Sequence, residues 1–169
     1  LKKKKVFANL SVNQIHFEKH FDYLKSLSDE KLIHGLGVSL VNPTGTFLRK
    51  VNLIPNIVIH TINGILNPEQ IANMVGMNLK VLILGYKERE RGTDYYLENS
   101  IAIKERQRWL YNNLENIIKH FKVVSFDNLA IEQLDVKRLM SSEEWEEFYM
   151  GNDGNFTHYI DTVKGTFGK

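Results

Sequence analysis

Hydrogen-bonding side chains follow the ends of five apolar runs along this 169-residue sequence. Most are amides and hydroxyls, and the acid–base groups among them are a histidine, a lysine and an aspartate. Such a set suits recognition of a polar organic ligand better than binding of a metal ion. The positions are Asn13, Gln14, Ser39, Asn42, His60, Thr61, Asn63, Tyr86, Lys87, Ser125, Asp127 and Asn128, together with the strand-end residue Gly64, which has no polar side chain.

The residues alone predict no reaction. The sequence has no cysteine, which excludes disulfides, a thiol nucleophile and a cysteine-ligated zinc or iron–sulfur cluster within this chain. His16 and His20 have the spacing of a zinc-protease helix, but that motif requires glutamate directly after the first histidine. No metal site is therefore predicted, and no Ser-His-Asp order or carboxylate pair stands out.

The apolar runs indicate β-strands that alternate with amphipathic helices. Strands are expected over 6–12, 35–41, the run around 57–59, 79–85 and 122–127. Near-continuous apolar strands between helices are typical of parallel sheets covered by helices. Because ligands of such folds bind at the carboxyl ends of the strands, the polar side chains above are expected to share one surface.

The predicted helices cover about 14–32, a short segment after Pro43, a segment starting at Pro68, and about 101–121. Asn42 and Asn67 are predicted N-caps, the latter with Pro68 and Gln70 completing the start signal. Capping is also the alternative interpretation of Asn13, since each polar residue taken singly can satisfy local backbone. Five consecutive strands that all end in polar groups favour a shared ligand surface.

Residues 1–140 are predicted to form a half-barrel domain and residues 141–169 an extension of one helix and a hairpin-like tail. The predicted fold is α/β, a partial (βα) barrel-like parallel sheet of about five strands with outer helices. A net charge of +2 is too small to indicate nucleic-acid binding. No signal peptide or membrane span is apparent, and a cysteine-free chain is compatible with the cytoplasm, where we expect the protein.

Three stretches resemble the later part of radical S-adenosylmethionine enzymes. They are Gly-Val-Ser-Leu-Val-Asn at 37–42, Ile-His-Thr-Ile-Asn-Gly-Ile at 59–65 and Val-Leu-Ile-Leu-Gly-Tyr-Lys at 81–87. The resemblance covers roughly residues 6–134. In that family a partial βα barrel holds a four-iron cluster and S-adenosylmethionine across its carboxyl-terminal mouth.

The resemblance implies cofactor-binding and substrate-side positions in this chain. Ser39 and Asn42 would contact the ribose of S-adenosylmethionine. The adenine would lie against Ile62 and Gly64 and against the backbone of Leu84, Gly85 and Tyr86. Substrate-side candidates are Asn13, His60, Asn63, Lys87, Asp127 and Asn128.

This chain departs from the family pattern because it lacks the three-cysteine loop that defines the family. We interpret the chain as a fragment whose first two barrel strands would precede Leu1, or as a relative that has lost the cluster. The whole protein would generate a deoxyadenosyl radical that abstracts hydrogen from a small-molecule or peptide substrate; a 4Fe-4S cluster belongs only to such a parent. The alternative is a non-catalytic βα domain for binding or assembly.

The first predicted strand, Val6 to Val12, would be a sheet edge with unpaired backbone groups if two strands are missing. Exposed edges tend to pair. The sequence therefore predicts self-association through this edge, most simply as a two-fold dimer.

Overall fold

The computed structural model describes residues 7–89, 91–152, 159–161 and 163–168. Five strands form one parallel sheet in chain order: β1 (Asn9–Asn13), β2 (Gly35–Ser39), β3 (Ile57–Ile62), β4 (Lys80–Leu84) and β5 (Val123–Phe126). The predicted α/β fold, a partial βα-barrel-like parallel sheet with outer helices, is confirmed.

Helices connect the strands and continue after β5. They are α1 (Gln14–Lys19), α2 (Phe21–Asp29), α3 (Gly45–Val51), α4 (Pro68–Met74), α5 (Arg91–Ile118), α6 (Asn128–Leu134) and α7 (Ser142–Phe148). A 3₁₀ turn, Val136–Leu139, lies between α6 and α7. The strands β6 (Tyr159–Asp161) and β7 (Thr166–Gly168) pair antiparallel, as the predicted hairpin requires. The predicted strand residues 156 and 158 lie outside the described residues.

The two faces of the five-stranded sheet differ in chemistry. One register row across all five strands is entirely aliphatic, and every member contributes to the hydrophobic core: Val12, Val38, Ile59, Val81 and Val124. The next row points to the other face because successive side chains of a strand alternate. That row is mostly polar: Asn13, Ser39, His60, Leu82 and Ser125.

Helices α1 to α6 all supply residues to this one core, so they pack on the aliphatic face. Examples are Phe17 from α1, Phe47 from α3 and Leu114 from α5, all fully buried. On the opposite face, Val58 and Leu82 are half-buried and lie outside the core. One-sided helix cover is the arrangement of a βα barrel wall, and we call the uncovered side the open face.

Several predicted boundaries were wrong. The expected helix over 14–32 is two helices, because His20 leaves helical geometry at φ −115° and ψ 26°. Helix α3 is capped by Thr44, whose side chain accepts from Phe47 N, and not by Asn42. Helix α5 begins at Arg91, ten residues before the predicted start, with a break at Asn99.

The edge strand β1 begins at Asn9. Position 6 lies outside the described residues, and Phe7 is highly exposed ahead of the strand. The start signal of α4 is confirmed, since Asn67 and Gln70 form a reciprocal capping box with Pro68 in the first turn. Within the described part of the chain, no helix is both long and apolar enough to cross a bilayer.

Candidate functional site

A cavity of about 510 Å³ lies at the carboxyl ends of β3 and β4. Eight of the described residues line it, and six of these are sequence-predicted site positions. The six are Ile62, Leu84, Gly85, Tyr86, Lys87 and Asp127; Arg89 and Gly92 complete the lining. We call it the mouth cavity.

Asp127 fixes one wall of the mouth cavity through a single carboxylate oxygen. Its Oδ1 accepts from Gly85 N and from Ala130 N, both at 2.8 Å, so the same atom caps α6 and holds the end of β4. Gly85 must be glycine here, because a Cβ would lie 2.4 Å from Leu129 Cγ. This contact seats β4 directly against α6.

Gln133 of α6 holds the next residue by its backbone. Its Oε1 accepts from Tyr86 N at 2.9 Å and its Nε2 donates to Tyr86 O at 2.9 Å. The same Oε1 accepts from Asn63 Nδ2 at 3.0 Å, which ties the end of β3 to the end of β4. Gln133 was not among the predicted site residues, and its only signal in the sequence is a polar residue on the same short helix that Asp127 caps.

The Tyr86 phenol closes the loop between β4 and α5. It is buried, its OH donates to Gly92 O at 2.7 Å, and its ring lies 6.2 Å from that of Tyr96. Burial is the largest cause that raises the pKa of Tyr86, and the nearby Tyr95, Glu88 and Tyr96 raise it further. The phenol is therefore a neutral hydrogen-bond donor at physiological pH.

The backbone of Gly92 lies close to that of Lys87 and Arg89. Gly92 N donates to Arg89 O at 3.0 Å, and a Cβ on Gly92 would lie 1.9 Å from Lys87 O. Only glycine allows this approach. Two exposed cations of this segment, Lys87 and Arg89, line the mouth cavity.

Asn63 is 1% exposed and lies behind this wall, outside the lining of the mouth cavity. Its Oδ1 is buried with no hydrogen-bond partner among the described residues. The orientation is forced: Gln133 must present Oε1 to Tyr86 N, so Asn63 must turn its Nδ2 toward Oε1. Gly64, at φ +91°, would place a Cβ 2.8 Å from Ile103 Cγ2, which makes it a packing contact with α5.

The remaining predicted positions lie apart from the mouth cavity. Asn13, Ser39 and His60 share the polar row of the open face, and Asn13 Oδ1 also caps α1 by accepting from His16 N at 2.8 Å. Asn42 lies in an exposed loop. Buried Gln14 holds that loop: its Oε1 accepts from Asn42 N and its Nε2 donates to Asn42 O.

His60 lies over Gly37 of the neighbouring strand. A Cβ on Gly37 would be 2.3 Å from His60 Cε1, 2.5 Å from Nε2 and 3.0 Å from Ser11 Oγ, so the imidazole fills the space that glycine leaves. Burial lowers the pKa of His60, which favours the neutral ring. Asn128, the first residue of α6, lies beside Asp127 but outside the mouth-cavity lining.

A second cavity of about 480 Å³ shares part of the mouth-cavity wall. Tyr86, Lys87 and Arg89 line both spaces, and the second is completed by Glu88, Leu129 and Gln133. We call it the side cavity. Two smaller spaces, of about 280 and 320 Å³, lie near the amino ends of the strands, away from the predicted site residues.

Among the described residues, no group of three or more histidine and acidic side chains could hold a metal ion. No family model matches the chain, and no curated protein or solved structure shows significant similarity to it. The geometry of the site therefore carries the functional argument.

Proposed function

We propose that this chain is the S-adenosylmethionine- and substrate-binding portion of a radical S-adenosylmethionine enzyme. The whole protein would generate a deoxyadenosyl radical, and we place it in the cytoplasm. The observation that carries the proposal is the mouth cavity, which gathers four of the cofactor positions and two of the substrate-side positions that the resemblance implies. These residues come from three separate segments of the chain.

The chemistry of the mouth cavity suits S-adenosylmethionine. Its volume of about 510 Å³ is in the range of small-molecule sites. Ile62 and Leu84 offer an apolar wall for a flat adenine. Asp127 offers negative charge for an ammonium or sulfonium group.

The backbone at the end of β4 is less available than the resemblance implies. Gly85 N, Tyr86 N and Tyr86 O are already bonded within the protein. The Gly85 carbonyl has no hydrogen-bond partner among the described residues. It is the group that we expect to accept a hydrogen bond from the adenine amino group.

The iron–sulfur cluster that the family uses does not fit the residues of this chain. The chain contains no thiolate ligand, and none of its described acidic and histidine groups forms a metal site. The residues of this chain would bind S-adenosylmethionine, orient it against the ends of β3 and β4, and limit its contact with water.

Isothermal titration calorimetry with millimolar S-adenosylmethionine tests the proposal. We expect binding by the wild-type chain and its loss in Ile62→Arg, because Ile62 lines the cavity and is 39% exposed. The control is Leu53→Arg, an exposed residue outside the mouth cavity. A folded wild-type chain that gives no binding, or an Ile62→Arg variant that binds like wild type, would overturn the proposal.

A second candidate function is a non-catalytic βα domain for binding or assembly. It is favoured by the structural use of several site residues: Asn13 and Asp127 cap helices, and Gly64 packs under α5. The Ile62→Arg experiment separates the two candidates, since a scaffold domain has no reason to bind S-adenosylmethionine in the mouth cavity.

We also propose self-association through β1. The sheet order leaves β1 with one paired side, and its neighbour in the sheet is β2 alone among the described strands. An unpaired edge is a template for another strand. Light scattering at tens of micromolar chain should show a dimer; a clean monomer would contradict this proposal.

A further inference from the structure

We propose that the side cavity binds a small organic anion, a carboxylate or a phosphate ester, through Lys87 and Arg89. The identification of the side cavity as the substrate site of an enzyme rests on the proposed function. Anion binding itself does not require S-adenosylmethionine. The side cavity was not predicted from the sequence as a distinct site.

The first observation is the state of the two cations. Lys87 and Arg89 are exposed, and neither side chain makes an ion pair or hydrogen bond with a described residue. By contrast, Lys25 and Lys119 are each paired with an acidic residue one helical turn away. The two loop cations are therefore available to a ligand without first breaking an internal interaction.

The second observation is their position. Lys87 and Arg89 line both the mouth cavity and the side cavity, so they stand between a space suited to a cofactor and a space of about 480 Å³ beside it. Leu129 and the Tyr86 ring give the side cavity apolar surface next to the charges. A ligand with an anionic group and a short carbon skeleton matches that combination.

The third observation is the anchoring of the described residues next to the two cations. Tyr86 is held by both of its backbone polar groups and by its hydroxyl, and Gly92 N is bonded to Arg89 O. These bonds anchor the described backbone at Tyr86 and Arg89, on either side of Lys87, and such anchoring lowers the entropy lost on binding. Glu88 lines the same cavity and opposes an anion by charge repulsion.

The test uses the full chain, labelled with ¹⁵N, without S-adenosylmethionine and at low ionic strength, where screening is weak. Inorganic phosphate and acetate are titrated separately. We expect saturable amide shifts at 86–89, 129 and 133, which line the side cavity. Shifts confined to 62, 84, 85 and 92, which line only the mouth cavity, would overturn the inference. The anion that binds more tightly identifies the ligand as a phosphate ester or a carboxylate, and either result supports the site.

The variant K87Q/R89Q should raise the Kd of the preferred anion about tenfold, since two charge-assisted contacts are lost. The matched control is K19Q/R108Q, which removes one exposed lysine from α1 and one exposed arginine from α5. Glu88→Gln should lower the Kd about two- to fivefold by removing repulsion.

No saturable shift in the loop, or equal weakening in both double variants, would overturn the inference. These outcomes are distinct from a failure of the proposed function. Calorimetry with S-adenosylmethionine reports on the mouth cavity through Ile62, and the phosphate and acetate titrations contain no S-adenosylmethionine.

Discussion

Replacing Gln133 by leucine removes a side chain of α6 that is bonded to the ends of both β3 and β4. Three hydrogen bonds are lost, two to the backbone of Tyr86 and one to Asn63 Nδ2. Tyr86 is 6% exposed and Asn63 is 1% exposed, so their polar groups lose their partners largely out of reach of water. Each such group costs about 1–3 kcal/mol, but Gln133 is itself only half-buried and water can replace part of the loss. We expect the free energy of unfolding to fall by about 2–4 kcal/mol.

Urea unfolding followed by circular dichroism measures this change. With a slope of about 2 kcal/mol per molar urea, the midpoint should fall by about 1–2 M. Glu132→Leu is the control, because Glu132 is the exposed neighbour on the same helix. A Gln133→Leu midpoint equal to that of the control would refute the argument that this carboxamide holds the site together.

The variant Gln133→Glu should make the stability of this connection depend on pH. The introduced carboxylate can still accept from Tyr86 N, but it faces Tyr86 O without a proton to donate. Protonation restores a donor, so the folded state binds this proton more tightly than the unfolded state. The destabilisation should therefore shrink as the pH falls from 7 to 5, with the same urea assay as readout.

Gly37→Ala should cost about 1–3 kcal/mol because the new Cβ would clash with the His60 ring, whereas Gly45→Ala, where Cβ would lie 3.6 Å from its nearest neighbour, should be neutral or stabilising; equal effects in urea unfolding would contradict this. Burial lowers the pKa of His60 from its ordinary 6.5, so its contribution to stability is complete above pH 6.5 and is lost as the pH falls toward the folded value. Between pH 7.5 and pH 5.0, the unfolding free energy of wild type should therefore fall by more than that of His60→Gln. Asp127→Ala should cost about 2–3 kcal/mol through loss of the α6 cap and of the bond to Gly85 N, and Asp127→Asn less than half of that because an acceptor remains; indistinguishable unfolding midpoints for the two variants would argue against this role.

The parallel sheet could be predicted from the sequence because its signals are local. Apolar runs of strand length alternate with helix-period patterns, and no other architecture accommodates that order as simply. The capping box of Asn67 and Gln70 involves residues three apart, so the start of α4 was equally readable.

The errors arise where distant residues decide local structure. Gln14 holds the backbone of Asn42 from 28 positions away, and the cap of α3 is Thr44. Gln133 contacts Tyr86 across 47 positions, and nothing near either residue signals the pairing. The mouth cavity itself was anticipated as a surface at the strand ends, but its closing loop depends on how closely Gly92 approaches Lys87.

The one-sided cover of the sheet places adjacent residues of a strand under unrelated constraints. In β3, Ile59 is fully buried against helices, while its neighbour His60 stands on the open face. A polar replacement in the aliphatic row would disrupt the core, whereas Ser39, His60 and Ser125 lie outside the core and their side chains are on the open face. Such a sheet can change the side chains of its open face, at alternate positions of each strand, while the core on its other face stays the same.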